Sequence, residues 1–441
     1  MDPTVRTIPV HNVRKNNVKE LRETIFQSIK NASFIAIDLE ITGLGPRIDP
    51  KSQMEEKYLA YKTLAETRSI LSLGLSVFKY DGVEDKRVKY KITVFDIMLF
   101  ELDPFTVDPL SLQFLVNHGL DFNQLISNGV SFRKRIDDIP NRIFTRILES
   151  GATLAFHNGL IDLMFLYNNF YSPLPPTCSE FLANLSDLFQ ASDKPPISDK
   201  YTAAIIDTKF IAEHKLGYSV SFLEYVYRKS QRQNLTALKD DDISIEINFE
   251  VFDGVDTTFV ESKVSECFIN KKYDPLTLKF VCPSFSNHGF CQKRDKCPLD
   301  HDVEMVLDLE EYKSLQGEKG TKRKQTEISD NDQEDINEKM KKPQKGELHG
   351  RNGKRANEIG SHSAGMDAFM TGFACAFFSR QDLHSTHKFS ADYCGRIPVS
   401  HSNHPLLIRT EQHIKRNDQY HEEKSLLIRK VRSLNHGEIS L

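Results

Sequence analysis

The sequence predicts a mixed α/β domain whose acidic residues gather at strand ends, with a small cysteine-rich module and a polar stretch inserted into it. Three observations predict this class. Short apolar and β-branched runs alternate with segments of helical spacing over the first 235 or so residues. Acidic residues follow two of the apolar runs, Asp38 and Glu40 after Phe34–Ile37 and Asp162 after Thr153–Phe156. An apolar block, Asp367 to Phe378 (DAFMTGFACAFF), returns abruptly after a long polar stretch and needs a surface to dock on.

In chain order, residues 18–31 have helical spacing and lead into a strand from Ser33 to Asp38. The charged segment Pro50 to Leu64 is open to a helix or to a loop over the strand end. Ser69–Lys79 (SILSLGLSVFK) and Val88–Asp96 (VKYKITVFD) alternate apolar with polar or β-branched residues, which predicts paired strands antiparallel to the first. Leu110–Ile126 and Asn141–Ser150 have helical spacing, Thr153–Phe156 is a short strand, and Asp162 opens a helix over Leu163–Phe170. A strand at Ala203–Asp207 and a helix at Ser221–Arg232 complete a core over residues 18–240. Residues 276–305 hold the cysteine cluster. Residues 314–360 have hardly any large apolar residue, cannot offset their ordering entropy and are predicted to be disordered. Residues 361–380 form a helix that packs back on the first domain, and residues 381–441 give no reading.

A chain of 441 residues, 39% of them hydrophobic, can bury one large core with attachments. No run approaches the roughly 18 apolar residues of a membrane span, and Met1–Glu20 contains no apolar signal core, so a soluble, non-secreted protein without a membrane partner is expected. A net charge of -4 gives no general attraction to nucleic acid, which leaves that work to local basic patches and to cations at the acidic site. Seven cysteines without a secretory signal point to a reducing compartment, where clustered cysteines are more often metal ligands than disulfides.

In a strand, residues i and i+2 share a face, so Asp38 and Glu40 can both address one cation while Leu39 goes to the core. With Asp162, in His157-Asn158-Gly159-Leu160-Ile161-Asp162, and Asp367, in His362-x4-Asp367, they make four carboxylates. Four carboxylates suit two divalent cations of the kind that clamp the attacking and leaving oxygens of phosphodiester hydrolysis, and His362 would then be the base. Each acid also has a simpler reading alone: Asp162 and Asp367 could just open helices, favoured by the dipole.

The segments Phe34–Gly45 (FIAIDLEITGLG), Ser69–Phe78, His118–Asn123 (HGLDFN), Ala155–Tyr167 (AFHNGLIDLMFLY) and His362–Phe373 (HSAGMDAFMTGF) resemble the DEDD-type deadenylases, which include the poly(A)-specific ribonuclease. The likeness covers residues 30–230 and 360–380, about half the chain, and is nearest to members that carry a CCCH zinc finger and reside in nuclear Cajal bodies. It implies a ribonuclease H-like DEDD exonuclease domain that uses two Mg²⁺, or Mn²⁺ in their place, to release 5′-nucleotides from RNA with a free, oligo(A)-tailed 3′ end. By the same resemblance Asp38 and Glu40 form the first motif, Asp162 the second, and His362 with Asp367 the third. Processing of small nuclear RNA 3′ ends is the expected task, and homodimerisation stays open. Two alternatives also stay open: a noncatalytic RNA-binding adaptor on a nuclease fold, and a DNA 3′–5′ exonuclease. Ser72 stands where members of the family often carry Gln, so it takes no substrate role, and Asp207, His118 and His157 are read as scaffold.

Cys282, Cys291, Cys297 and His301 follow C-x8-C-x5-C-x3-H, the spacing of a CCCH zinc finger. Phe285 and Phe290 between the ligands are candidates for stacking unpaired bases, and Lys293, Arg294 and Lys296 for phosphates. The same finger could instead be purely structural, with its phenylalanines packed beneath the metal. Lys322-Arg323-Lys324 and Lys341-Lys342 form a candidate signal for the nuclear import machinery. Because His362 and Asp367 follow the finger and this polar stretch, the finger is expected to be an insertion within the core domain.

Overall fold

The computed structural model describes residues 5–189, 204–263, 275–293, 296–321 and 363–399, together with 267, 402, 404–408, 422, 424–426 and 429. In chain order come β1 (Val5–Val13), α1 (Val18–Lys30), β2 (Phe34–Ile41), α2 (Met54–Thr67), β3 (Ile70–Glu84), β4 (Arg87–Glu101), α3 (Pro109–Asn117) and α4 (Phe122–Asn128). There follow β5 (Val130–Phe132), α5 (Ile139–Ser150), β6 (Thr153–Phe156), α6 (Leu160–Phe170), α7 (Cys178–Leu188), β7 (Ile205–Asp207), α8 (Thr208–Phe210) and α9 (Leu223–Lys239). After them come β8 (Ser244–Phe249), β9 (Thr257–Lys263), α10 (Pro283–His288), α11 (Val303–Thr321) and the returning helix, Ala364–Phe378.

A nine-stranded mixed sheet, ordered β7-β6-β2-β3-β4-β1-β9, organises these elements. β2 runs antiparallel to β3 and parallel to β6. The long strand β4 pairs with β3 along one edge and shares its other edge among β8, β1 and β5, all parallel to it.

The period-two alternation of the strands separates two apolar layers. Ile35, Ile37 and Leu39 face one way with Leu73, Leu75, Val77, Phe95 and Ile97, under α1, α2, α5, α6 and α7. Phe34, Ala36, Phe78, Ile92 and Val94 face the other way, under α9, α11 and the returning helix. Asp38 and Glu40 continue the Phe34–Ala36 row, so they emerge on the returning-helix side.

All residues of the returning helix except Asp367 are buried, which explains why this segment is apolar all round. Its seat is Gly74: a Cβ there would lie 1.8 Å from the Ala364 carbonyl oxygen. α11 is clamped to α9 by Arg232, whose guanidinium meets Asp308 at 2.8 Å, Glu311 at 3.0 Å and Glu304 at 2.5 Å.

Several expectations need correction. The core extends beyond residues 18–240, because β1, β8 and β9 belong to the same sheet. Among the described residues β9 is an edge strand paired with β1 alone, and its outer face carries polar residues and the exposed Phe259, so its apolar pattern is thin. The helical run Leu110–Ile126 is two helices: Gly119 has φ +102, and Asp121 caps α4 by accepting from the Asn123 and Gln124 amides. Helix α6 begins at Leu160, which places Asp162 in its first turn. α11 continues to Thr321, so residues 314–321 are helical; residues 322–362 lie outside the described residues, and with them the rest of the predicted disordered stretch and the import signal. Pro50–Leu64 resolves as helix α2 from Met54. In the segment without a reading, the Gly395 amide donates to Ile205 O at 2.8 Å, so the chain after the returning helix adds to the β7 edge. Among the described residues no helix is long and apolar enough to cross a membrane.

Gly74→Ala should destabilise the protein by about 3 kcal/mol, since backbone on both sides prevents relaxation. Chemical denaturation of the full chain measures it; a loss below about 1 kcal/mol would mean that the returning helix is not seated on Gly74.

Candidate active site

Strand β2 delivers Asp38 and Glu40, and the first turn of the returning helix delivers Asp367. Carboxylate oxygens of these three residues lie within 4.8 Å of one another. Asp162, from the first turn of α6, lies close enough to Asp38 to raise its pKa, yet falls outside that three-residue group. His362 lies outside the described residues.

The electrostatics of the group follow from its burial and then from its crowding. Burial first, then repulsion from Asp367, Asp162 and Glu40, lifts the Asp38 carboxyl well above the ordinary carboxylate range. The Glu40 carboxyl is pushed up to about 8, by burial and then by Asp367, Asp96 and Asp162. Asp367 is pushed up to about 7 by burial and by Glu224. Asp162 also reaches about 7 through burial, partly offset by its own backbone amide and that of Leu39. Acids this crowded call for positive charge, and a hard, oxygen-preferring divalent cation fits the donor set. Asp38, Glu40 and Asp367 are the residues that could hold it, with Asp162 near enough to act on both Asp38 and Glu40.

Glu40 and Asp367 open into a cavity of about 420 Å³, within the roughly 300–1,000 Å³ of ligand sites. Asn12, Arg14, Ser72, Asp96, Phe114, His118, Gln124 and Asn128 also line it. The Phe114 and His118 rings lie against each other at 3.9 Å between centroids.

Asp207 is structural: buried at the end of β7, it accepts from the amides of Asn158, Gly159, Lys209 and Phe210, and burial pushes it up to about 6. It thereby fixes the turn that leads to Asp162. His157 is scaffold as well, bonded to Thr208 Oγ1 at 2.9 Å and Ser221 O at 2.8 Å, with burial lowering its pKa to about 3. His118 is half-buried, contacts Phe114 O at 2.7 Å and lines the cavity, so the scaffold reading misses its position. Asp96 and Glu224 were also missed. An Asp inside the apolar strand sequence VFDIMLF was the available signal for Asp96; Glu224 at the start of α9 gave none.

In the cysteine module, ligand atoms of Cys282, Cys291, Cys297 and His301 lie within 4.8 Å of one another. The Cys282 and Cys297 sulfurs are 3.8 Å apart, close to the edge of a tetrahedron with about 2.3 Å metal–sulfur bonds. Phe285 stacks on His301 at 5.0 Å and packs on Phe222 at 5.8 Å, so its ring is engaged inside the protein, a correction to its candidacy for stacking bases. Gly289, with φ +69, lets the module close on α9: a Cβ there would lie 2.6 Å from the Phe222 ring. Phe290 is 49% exposed, Lys293 and Lys296 are exposed, and Arg294 lies outside the described residues.

The site is thus an α/β sheet with Asp-x-Glu on a central strand and acids converging on it from two helices. The chain belongs to the CAF1 ribonuclease family, whose profile matches residues 13–140 and 139–375. It is 27% identical over 159 residues to the pre-piRNA 3′-exonuclease trimmer of Bombyx mori, 32% of this chain and 29% of that protein. It is 29% identical over 129 residues to the human poly(A)-specific ribonuclease PARN, 27% of this chain and 20% of that protein. These matches span less than a third of either relative's length. The solved structure of S. pombe Pop2p, in its Mg²⁺ and Mn²⁺ bound form, superposes with a TM-score of 0.38 and 19% identity, covering 51% of this chain and 82% of that one.

The raised carboxyls give the cation-free protein a definite pH dependence. Above about pH 4 the unfolded chain has released these protons, while the folded site keeps them until pH 7 to 8. Stability should therefore fall as pH rises from about 5 to 8 in buffer free of Mg²⁺ and Mn²⁺, and added Mn²⁺ should restore it most at the alkaline end. Thermal unfolding across that range tests this, and a midpoint that rises with pH without added cation would contradict the crowding described.

Proposed function

We propose that the protein is a divalent-cation-dependent 3′–5′ exoribonuclease that trims poly(A) or short oligo(A) tails and releases 5′-nucleotides. The observation that carries the reading is the convergence of Asp38, Glu40 and Asp367 beside a cavity of nucleotide size. The names of the matched relatives, a poly(A)-specific ribonuclease and a 3′-exonuclease, support the substrate class.

Two Mg²⁺ or Mn²⁺ ions, when bound, would supply Lewis-acid stabilisation of the phosphate and a water of lowered pKa. The chain's own part is to hold the 3′-terminal nucleotide in the cavity, with the Phe114–His118 face available to a base and the acids at the scissile end. His362 takes the proton of the attacking water in this reading. A free 3′ end suits a cavity of this size, which has room for one or two nucleotides rather than a continuous duplex.

The cysteine module is proposed to hold a structural Zn²⁺ at Cys282, Cys291, Cys297 and His301. Phe290, Lys293, Arg294 and Lys296 are then the RNA-contact candidates, holding a transcript near the nuclease site. A nuclear location, with Cajal bodies and the 3′ ends of small nuclear RNAs as the setting, rests on the basic runs at 322–324 and 341–342 and on the likeness noted in the sequence.

Asp38→Ala and Asp367→Asn should each lower cleavage of a 3′-labelled oligo(A) RNA by at least about 1,000-fold with folding retained. A chain ending before residue 360 should be inactive and expose apolar core. Retained activity in either variant would overturn the assignment of the acids. Side-by-side digestion of the DNA counterpart checks the substrate, and equal rates on RNA and DNA would overturn it.

A further inference from the structure

Asp96 lies in the interior of β4, 7% exposed, directly across from Gly74 on β3 and beside Asn12 on β1. Asp38 is the partner of Gly74 on its other side. One row across the sheet therefore reads Asp38, Gly74, Asp96, and the first turn of the returning helix sits over the glycine between the two acids. We propose that Asp96 is the positioning residue that sets the register of the returning helix, and so places Asp367 against Asp38 and Glu40.

Both oxygens of Asp96 are committed to this task. Oδ1 accepts from the Gly365 amide at 3.3 Å and from Ser72 Oγ at 3.0 Å; Oδ2 accepts from Arg14 Nη2 at 3.0 Å. The Gly365 amide is one of the first-turn donors that a helix cannot satisfy internally. Ser363 caps the next such donor, the Met366 amide at 3.3 Å. Asp367 follows Gly365 by two residues, so a shift of this turn moves its carboxylate directly. Ser72 ties the same oxygen to the position opposite Glu40, which couples the two acid-bearing segments through one side chain.

Arg14 supplies the countercharge that keeps a buried carboxylate in place beside Glu40. Its guanidinium also donates to Asp96 O at 2.7 Å, Val13 O at 3.0 Å and Asn12 Oδ1 at 3.3 Å, which fixes its plane. Asp96 is outside the group of converging carboxylates and has three donors of its own, so it acts through the helix rather than as another cation ligand.

The inference rests on the reading of Asp38, Glu40 and Asp367 as the cation-holding set, and the test separates the two. The whole 441-residue chain, supplied with zinc, is titrated with Mn²⁺, free Mn²⁺ being followed by electron paramagnetic resonance, and turnover is measured on 3′-labelled oligo(A). Asp96→Ala should weaken Mn²⁺ binding about tenfold and lower kcat about 10- to 100-fold, with KM for RNA within about twofold. Val94→Ala, a truncation on the same face of β4 without polar contacts, should leave both at the wild-type level. The neutral pair Arg14→Gln/Asp96→Asn keeps the Oδ1 acceptor and should recover most of the lost Mn²⁺ affinity, the readout that does not involve Arg14 as a wall of the RNA cavity. Should Asp96→Ala fail to fold, Ser72→Ala carries the same test with a smaller weakening. An Asp96→Ala protein that matches Val94→Ala, or a neutral pair that binds Mn²⁺ as weakly as Asp96→Ala, would overturn the positioning role. A wild-type protein that binds no Mn²⁺ would remove the acid-cluster reading and this inference with it.

Discussion

Mutual repulsion among carboxylates brought from three separate parts of the chain is the constraint on which the rest of this structure depends. Asp38 and Glu40 stand on a central strand, Asp162 on the helix after β6, and Asp367 on a helix that returns from far along the sequence. Water alone would keep such groups apart. They are held together by apolar packing of the elements that carry them, and their raised pKa values reflect burial first and, for Asp38 and Glu40, the enforced proximity of the other acids. The repulsion is the chemical resource of the site, because it is relieved by protons or by a divalent cation.

The fold supplies that enforcement through an arrangement of the sheet. Alternation on β2 puts Ile35, Ile37 and Leu39 into one layer and the two acids onto the other face, under the returning helix. The missing side chain at Gly74 lets that helix approach closely enough for Asp367 to join them. Helix α9 packs beside the returning helix and is itself braced from outside, by α11 through Arg232 and by the cysteine module through Phe222. The inserted module thus contributes to the wall of the nuclease core as well as offering a surface of its own.

Much of this was legible in the sequence where one short window held the whole signal. Asp38 and Glu40 stand out because two residues of spacing puts both on one strand face. The cysteine module is legible because four ligands in a tight interval have few other uses. The docking of the returning helix, Ala364–Phe378, followed from its apolar composition. What escaped depended on tertiary partners. In β8 only Ser244 and Ile245 are fully buried, and β9 is an edge strand with Val260 as its buried apolar residue among those described, so their apolar pattern is thin and the core reaches further than that pattern shows. Asp96 looked like the end of a strand and proved to be the interior of one. Phe285 resembled an exposed stacking residue, yet it packs between His301 and Phe222. The spacing of ligands does not report what lies beneath them.

The most direct test of the central claim is the number of protons released when Mn²⁺ binds at pH 7. It is obtained by calorimetry of the whole 441-residue chain in buffers of different ionisation enthalpy. Crowded carboxyls that hold protons in the cation-free site must give them up on binding, so a release of about one proton or more per protein is expected. Mn²⁺ binding without proton release would contradict the account, because it would mean that the acids are neither crowded nor buried as described.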